Sequence, residues 1–238
     1  MGEITSRVDA YWSAVFGVPP ADLHAPGVRV SPHQGERVGW RAVYVLVLGD
    51  AANVLAPASM CAPLSAVLAG HAAVDVLDSA AWHGLLRGDV SAVLGPSVDL
   101  YLTDRSVLAG IAQGRRLNPG DTAALARLRA TVAAEEWEHA GFGAQAVSLF
   151  GLFDGDSLLA AANLTGGPGG ASDVGVLTRP DVRGKGYGQR VAAVAAAQAV
   201  AMCGIARYRV VTTYPASLGI ARRLGFAEYG RNLTVLLT

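Results

Sequence analysis

Arg183-Gly184-Lys185-Gly186-Tyr187-Gly188 decides how this chain folds, because its three glycines alternate with larger residues between a strand-like run and a long helix. The run before it, Val174-Gly175-Val176-Leu177-Thr178, reads as a strand. The segment after it, Tyr187 to Cys203, is largely alanine, which costs least in a helix. Val191, Val194, Ala195 and Met202 are expected on its buried face. Glycine permits positive φ and close approach of a ligand to the backbone. The free N–H groups of a helix's first turn, with the helix dipole, favour an anion there. The dipole contributes only about 0.3–1 kcal/mol to an exposed anion, so directed N–H bonds must supply most of the grip. A side chain at Gly186 or Gly188 is expected to fill the ligand's space. The plainer alternative is a tight strand-to-helix connection with no ligand.

Two familiar phosphate motifs are excluded. No G-x-x-x-x-G-K-[ST] occurs, and the dinucleotide pattern fails at its last glycine. Basic Arg207 also stands about twenty residues on, where a ribose-binding acid would be expected.

Around this centre, Val147 to Phe153 and Leu158 to Leu164 read as a hairpin closed by Asp154-Gly155-Asp156. Gly166-Gly167-Pro168-Gly169-Gly170 reads as a mobile loop. Downstream come a strand over Tyr208 to Thr212, a helix from Ser217 to Leu224 stopped by Gly225, and strand material from Tyr229 to Leu237. Upstream, Asp121 is a natural cap for a helix carrying Ala124, Leu125, Leu128 and Val132. A domain boundary is expected at 113/114. Before it lies a smaller α/β unit: a helix to Phe16, strands at Val28–Val30, Ala42–Leu48 and Val54–Leu55, helices near Pro63–Leu68 and Trp82–Leu86, and a strand at Val98–Leu102.

A composition of 52% hydrophobic and 16% charged residues assures a sizeable core. Nineteen basic residues balance nineteen acidic ones, so there is no global field to draw in nucleic acid or an anionic membrane. Cys61 and Cys203 lie far apart with no metal-ligand spacing and read as reduced thiols; no metal is expected. The start lacks the basic-then-apolar order of a secretory signal and no apolar run is long enough to span a bilayer, so the expected setting is cytoplasmic.

With Arg183, Gly186 and Gly188 meeting R/Q-x-x-G-x-G/A, the chain resembles the GNAT superfamily of acyl-CoA-dependent N-acetyltransferases. Arg116-Leu117-Asn118-Pro119-Gly120-Asp121 resembles that family's opening, and Ala221-Arg222-Arg223-Leu224-Gly225-Phe226 its Leu-Gly-Phe helix end. The resemblance covers about residues 114–238. It implies a twisted mixed sheet flanked by helices and splayed between its fourth and fifth strands, with acetyl-CoA as co-substrate in the opening. The N-terminal unit is either a degenerate second copy of this fold or something unrelated.

The resemblance also implies that the backbone of Val176, Leu177 and Thr178 pairs with pantetheine. Amides of Arg183, Gly184, Lys185, Gly186, Tyr187, Gly188 and Gln189 would hold the pyrophosphate, and Ser217 would face the coenzyme. Where the family often has an asparagine and a tyrosine acid, this chain has Tyr214 and Ala221.

Direct attack of a neutral amine on the thioester needs a proton acceptor and a donor for the leaving thiolate. Glu136 and Glu138, near Trp137, are candidates for the first; Tyr214 is the candidate for the second; Asp173 is a further candidate base. Each has a plain reading too, as a solvated helix face or a packing tyrosine. The acceptor is a small-molecule or peptide amine, and a homodimer is one assembly this reading admits. A different reading keeps the coenzyme fold without turnover, as an acyl-CoA sensor or interaction module.

Overall fold

Alternation of β-branched and small residues with alanine-rich helical runs gives a mixed α/β protein, described by a computed structural model over residues 2–143, 146–166 and 172–238. Most of the expected 166–170 loop lies outside the described residues. The chain forms two compact units, each assembled from separate stretches of sequence. The first comprises 1–99, 210–214 and 228–238, and the second 100–209 and 215–227. These units divide the chain differently from a cut at 113/114.

The first unit holds helices α1 (Gly2–Phe16), α2 (Pro20–Leu23), α3 (Cys61–Leu68) and α4 (Ala81–Leu85). Its strands are β1 (Gly27–Pro32), β2 (Ala42–Leu48), β3 (Ala51–Ala56), β4 (Val90–Leu102, through Asp99 in this unit) and β10 (Ala227–Leu237, from Glu228). Their order is β1-β3-β2-β10-β4. β2 and β3 are buried at every position, which is why they read as unbroken apolar runs. β10 pairs antiparallel with β2, Leu233 opposite Val45, and both residues join a core with Val54, Leu64, Leu68 and Trp82.

The second unit carries β5 (Arg115–Arg116), β6 (Ala146–Asp154), β7 (Ser157–Gly166), β8 (Ser172–Thr178) and β9 (Ala206–Val211, through Arg209 in this unit). Here the order is β9-β8-β7-β6-β5. β5, β6, β7 and β8 pair antiparallel with one another, and β8 meets β9 in parallel. Helices α5 (Thr122–Arg129) and α6 (Ala134–His139) bury Ala124, Leu128, Trp137 and Phe142 with Leu158, Ala161 and Leu177. Since side chains alternate across a strand, Val176 and Thr178 point to the opposite face. That face receives α7 (Tyr187–Cys203) and its neighbour α8 (Pro215–Arg223).

Three expectations are revised. The buried stripe of α7 is Val191 with Ala192, Ala193, Ala195, Ala196 and Ala199, while Met202 is 56% exposed. Small side chains let this helix lie close to the sheet. Asp121 does not cap α5 with its side chain. Its carboxylate instead accepts from Asn118 N at 2.8 Å and takes both ends of the Arg115 guanidinium at 2.7 Å. The Arg115 bonds hold that carboxyl down at about 2. Finally, β4 starts eight residues earlier than the expected Val98, at Val90.

Candidate active site

The site is built on an interruption in the sheet. Arg179 N donates to Leu159 O at 2.9 Å, which makes Leu159 and Arg179 a hydrogen-bonded pair of the β7–β8 ladder. Antiparallel alternation then turns the N–H and C=O of Leu177 toward Ala161 and those of Gly175 toward Asn163. The backbone groups of Val176 and Thr178 face the other edge. Among the described residues, β9 pairs along that edge only through Ser172 with Ala206 and Asp173 with Arg207. Beyond those two positions the strands separate, and Val176 is left with outward backbone donors and acceptors of the kind an extended amide chain can use. The same alternation removes Leu177 from this role: its backbone serves β7, and its side chain is buried with Trp137 and Leu128.

The open edge leads to the glycine turn. Gly184 and Gly186 have φ of 80° and 79°, and a Cβ added at either would meet nothing within 4 Å. Gly186 is the left-handed N-cap of α7, and the helix's first turn closes with Arg190 N donating to Gly186 O at 3.1 Å. The amides of Tyr187, Gly188 and Gln189 precede that bond and are the unsatisfied first-turn donors of a 17-residue helix. Gly188 has another reason to be glycine. Its Cβ would come 2.6 Å from Thr178 Oγ1 and 3.5 Å from both Val176 Cγ2 and Ile220 Cδ1. A side chain is expected from sequence to intrude on a ligand at both Gly186 and Gly188; the space around a Cβ is open at Gly186, and at Gly188 it is already taken by Thr178, Val176 and Ile220.

Below the opening, the carboxylate of Asp173 takes Nε and Nη2 of Arg207, with Arg209 Nη2 at 3.7 Å. The side chains of Arg207 and Asp173 are 8% and 17% exposed. Burial pushes the Asp173 carboxyl up, but Arg207 and Arg209 outweigh it and hold the group below its ordinary value. A carboxylate held by two arginines is a poor proton acceptor, so Asp173 is a structural pin here, not a base.

On the helix side, Tyr208 is 2% exposed and its hydroxyl lies 3.2 Å from Ser217 Oγ. Its ring meets Phe226 edge-on, and burial pushes its hydroxyl up to about 12. Ser217 and Ile220 stand three residues apart on α8, on one face, and Ile220 is the residue that approaches Gly188. Ser217, expected to face the coenzyme, thus stands on the face of α8 that approaches Gly188. Tyr208 was readable from sequence only as a strand residue.

The expected catalytic groups are held in different ways. Glu136 Oε1 accepts from Arg183 Nη2 at 2.6 Å, and Arg183 Nε donates to Thr178 O at 3.1 Å. Glu138 lies two positions on, on a different side of α6, and is exposed. Tyr214 belongs to the first unit, is 40% exposed, and its N donates to Val211 O at 3.0 Å. What places α6 is unseen in the sequence pattern: Asn163 Nδ2 donates to Ala140 O at 2.7 Å, and a Cβ on Gly175 would run into that same carbonyl.

No family model and no curated protein matches the chain. Solved structures do. A GNAT-family acetyltransferase from Colwellia psychrerythraea aligns at 16% identity and a TM-score of 0.49, over 66% of this chain and 62% of that one. For a putative GNAT-family acetyltransferase from Novosphingobium aromaticivorans the figures are 19%, 0.47, 62% and 66%. For a GCN5-related N-acetyltransferase from Kribbella flavida they are 18%, 0.45, 65% and 62%. The likeness is one of fold, and it spans less than two thirds of each of those chains.

Proposed function

We propose that residues 114–238 bind acetyl-CoA and that the protein is an N-acetyltransferase, moving the acetyl group to a small-molecule or peptide amine by direct attack in a ternary complex. One observation supports this most: the β8 edge opens at Val176 and runs into a left-handed glycine turn that starts a long helix. An extended amide arm on that edge and a pyrophosphate on the amides of 184–189 fit the same continuous backbone surface, with Arg183 and Lys185 supplying positive charge. The thioester supplies an acyl carbon that an amine can attack. The protein's part is to hold that carbon still and to move two protons.

For the proton lost by the amine we assign Glu138, whose side chain makes no hydrogen bond or ion pair among the described residues. Glu136 is the second carboxylate on the same helix, but it is engaged by Arg183. Tyr214 is the proposed donor to the leaving thiolate, and Ser217 faces the coenzyme from α8. Residues 1–113 are an α/β region with no assigned role.

The test has two stages. A ligand that binds only the native state stabilises it by about 2.7 kcal/mol at a hundredfold excess over Kd, which for a chain of this size raises Tm by roughly 2–4 °C per kcal/mol. Acetyl-CoA or free coenzyme A at millimolar concentration should therefore shift Tm by several degrees; no shift with either ends the coenzyme reading. Coenzyme A release across a panel of polyamines, amino acids, aminoglycosides and peptides then tests transfer, and binding without release from any acceptor would favour the sensor reading.

A further inference from the structure

The carboxylate expected to serve the acceptor and the arginine that opens the glycine turn are holding each other. Arg183 is fixed at two corners of its guanidinium, by Glu136 at 2.6 Å and by Thr178 O at 3.1 Å. A planar guanidinium has five donors, and the Nη1 corner of Arg183 makes no hydrogen bond among the described residues. The charges around the turn balance almost completely. Arg179 is paired twice with Asp181, at 2.7 and 3.0 Å, and Arg183 is paired with Glu136. Lys185 has no ion pair among the described residues. Two of the three cations beside an anion-binding turn are thus already neutralised by carboxylates.

We propose that Glu136 is a stand-in anion on Arg183, displaced when the coenzyme's pyrophosphate enters, so that a carboxylate on α6 is unmasked only in the coenzyme complex. This rests on the coenzyme reading above. The exchange is physically easy because the pair is a surface one, with side chains 47% and 34% exposed, and such pairs are weak and salt-screened. A pyrophosphate brings more charge and several acceptor oxygens to the same guanidinium. The exchange needs no helix movement, since Asn163 and Gly175 hold the end of α6 against the sheet; rotation of the Glu136 side chain suffices. By reciprocity, whatever binds the freed carboxylate must tighten the coenzyme by the same factor, which favours coenzyme before amine.

Glu136→Gln tests this with two probes, coenzyme A and inorganic pyrophosphate, titrated calorimetrically into the full chain at low salt and near 1 M salt. Removing the competing charge should tighten both about two- to fivefold at low salt, and the gain should shrink at high salt. In an Arg183→Gln background the same change should do nothing. A Glu136 that merely tethers Arg183 would weaken binding or leave it unchanged on substitution, and either result overturns the exchange, as does an equal gain without Arg183. If the wild-type chain binds neither probe, the coenzyme reading itself has failed and takes this inference with it.

Discussion

The two ends of β8 face the same neighbouring strand under opposite rules. At Ser172 and Asp173 the edge is paired to β9 and locked by a buried carboxylate between arginines. At Val176 and Thr178 it is unpaired, and the nearest features are a left-handed turn and a helix start. A sheet that opens needs a place where it cannot open further, and the charge pair stands at that place. Rigidity at one end is what allows exposed backbone groups at the other without the strands drifting together or apart.

The largest effect should come from breaking the closed end. Asp173→Asn leaves Arg207 as a nearly buried charge short of its main partner, a situation that costs about 3–5 kcal/mol. A fall in Tm of roughly 10 °C is expected, and a loss under about 2 °C would show that the pin holds nothing.

Next come the glycines, which separate packing from ligand space. Gly175→Ala drives a methyl into Ala140 O and Asn163, an overpacking cost of about 1–3 kcal/mol in urea unfolding. Gly186→Val has open space around its Cβ but must hold a left-handed backbone, costing about 1–2 kcal/mol. Only the Gly186 change should also abolish coenzyme A binding in protein that remains folded; retained affinity there would remove the turn from the site.

Acid separates the ends as well. Asp173 titrates below its ordinary value of 3.8 in the folded state. Its contribution is therefore complete above that value and is lost as pH falls through the lower folded one. Tm measured from neutral pH downward should hold until about pH 4 and then drop. The remaining acid limb in Asp173→Asn, carried partly by Asp121 with its carboxyl at about 2, should be shallower. Parallel limbs in the two proteins would argue that Asp173 is not held down by its arginines.

The smallest effect belongs to the hydroxyl pair on the open side. Tyr208→Phe keeps the ring against Phe226 and removes one hydrogen bond to Ser217, a stability cost of about 0.5–1.5 kcal/mol. Coenzyme A affinity should barely move, and a loss beyond tenfold would mean that Tyr208 shapes the site itself.

Local chemistry carried much of this into the sequence. The unbroken apolar run Ala42–Leu48, the hairpin around Asp154-Gly155, and the glycine turn before an alanine helix each declare their structure within about ten residues. Strand-to-helix order around residues 172–203 was readable for the same reason. What stayed hidden depends on partners distant in sequence. In the sequence Arg207 stands out only as the wrong residue for a ribose-binding acid, because nothing local says that Asp173 waits opposite it. Gly188 and Gly186 look alike in the motif and differ only by what lies behind each. Glu136 and Glu138 read as one cluster, although helical geometry sends them to different sides and Arg183 engages just one. Leu177 and Val176 are alike in the sequence, and the parity of the ladder separates them.

The placement of β10 has a consequence for synthesis. Residues 100–227 contain every segment of the second unit, so all of that unit is synthesised before the rest of β10. The first unit, begun earliest, has to keep Val43, Val45 and Val54 without their Leu233 and Val235 neighbours until residues 227–237 emerge. Because translation runs from the N-terminus, the opening part of the chain receives its full set of core partners last, and a chain lacking residues 227–237 would expose the flank of β2, an apolar strand edge prone to pairing with other chains.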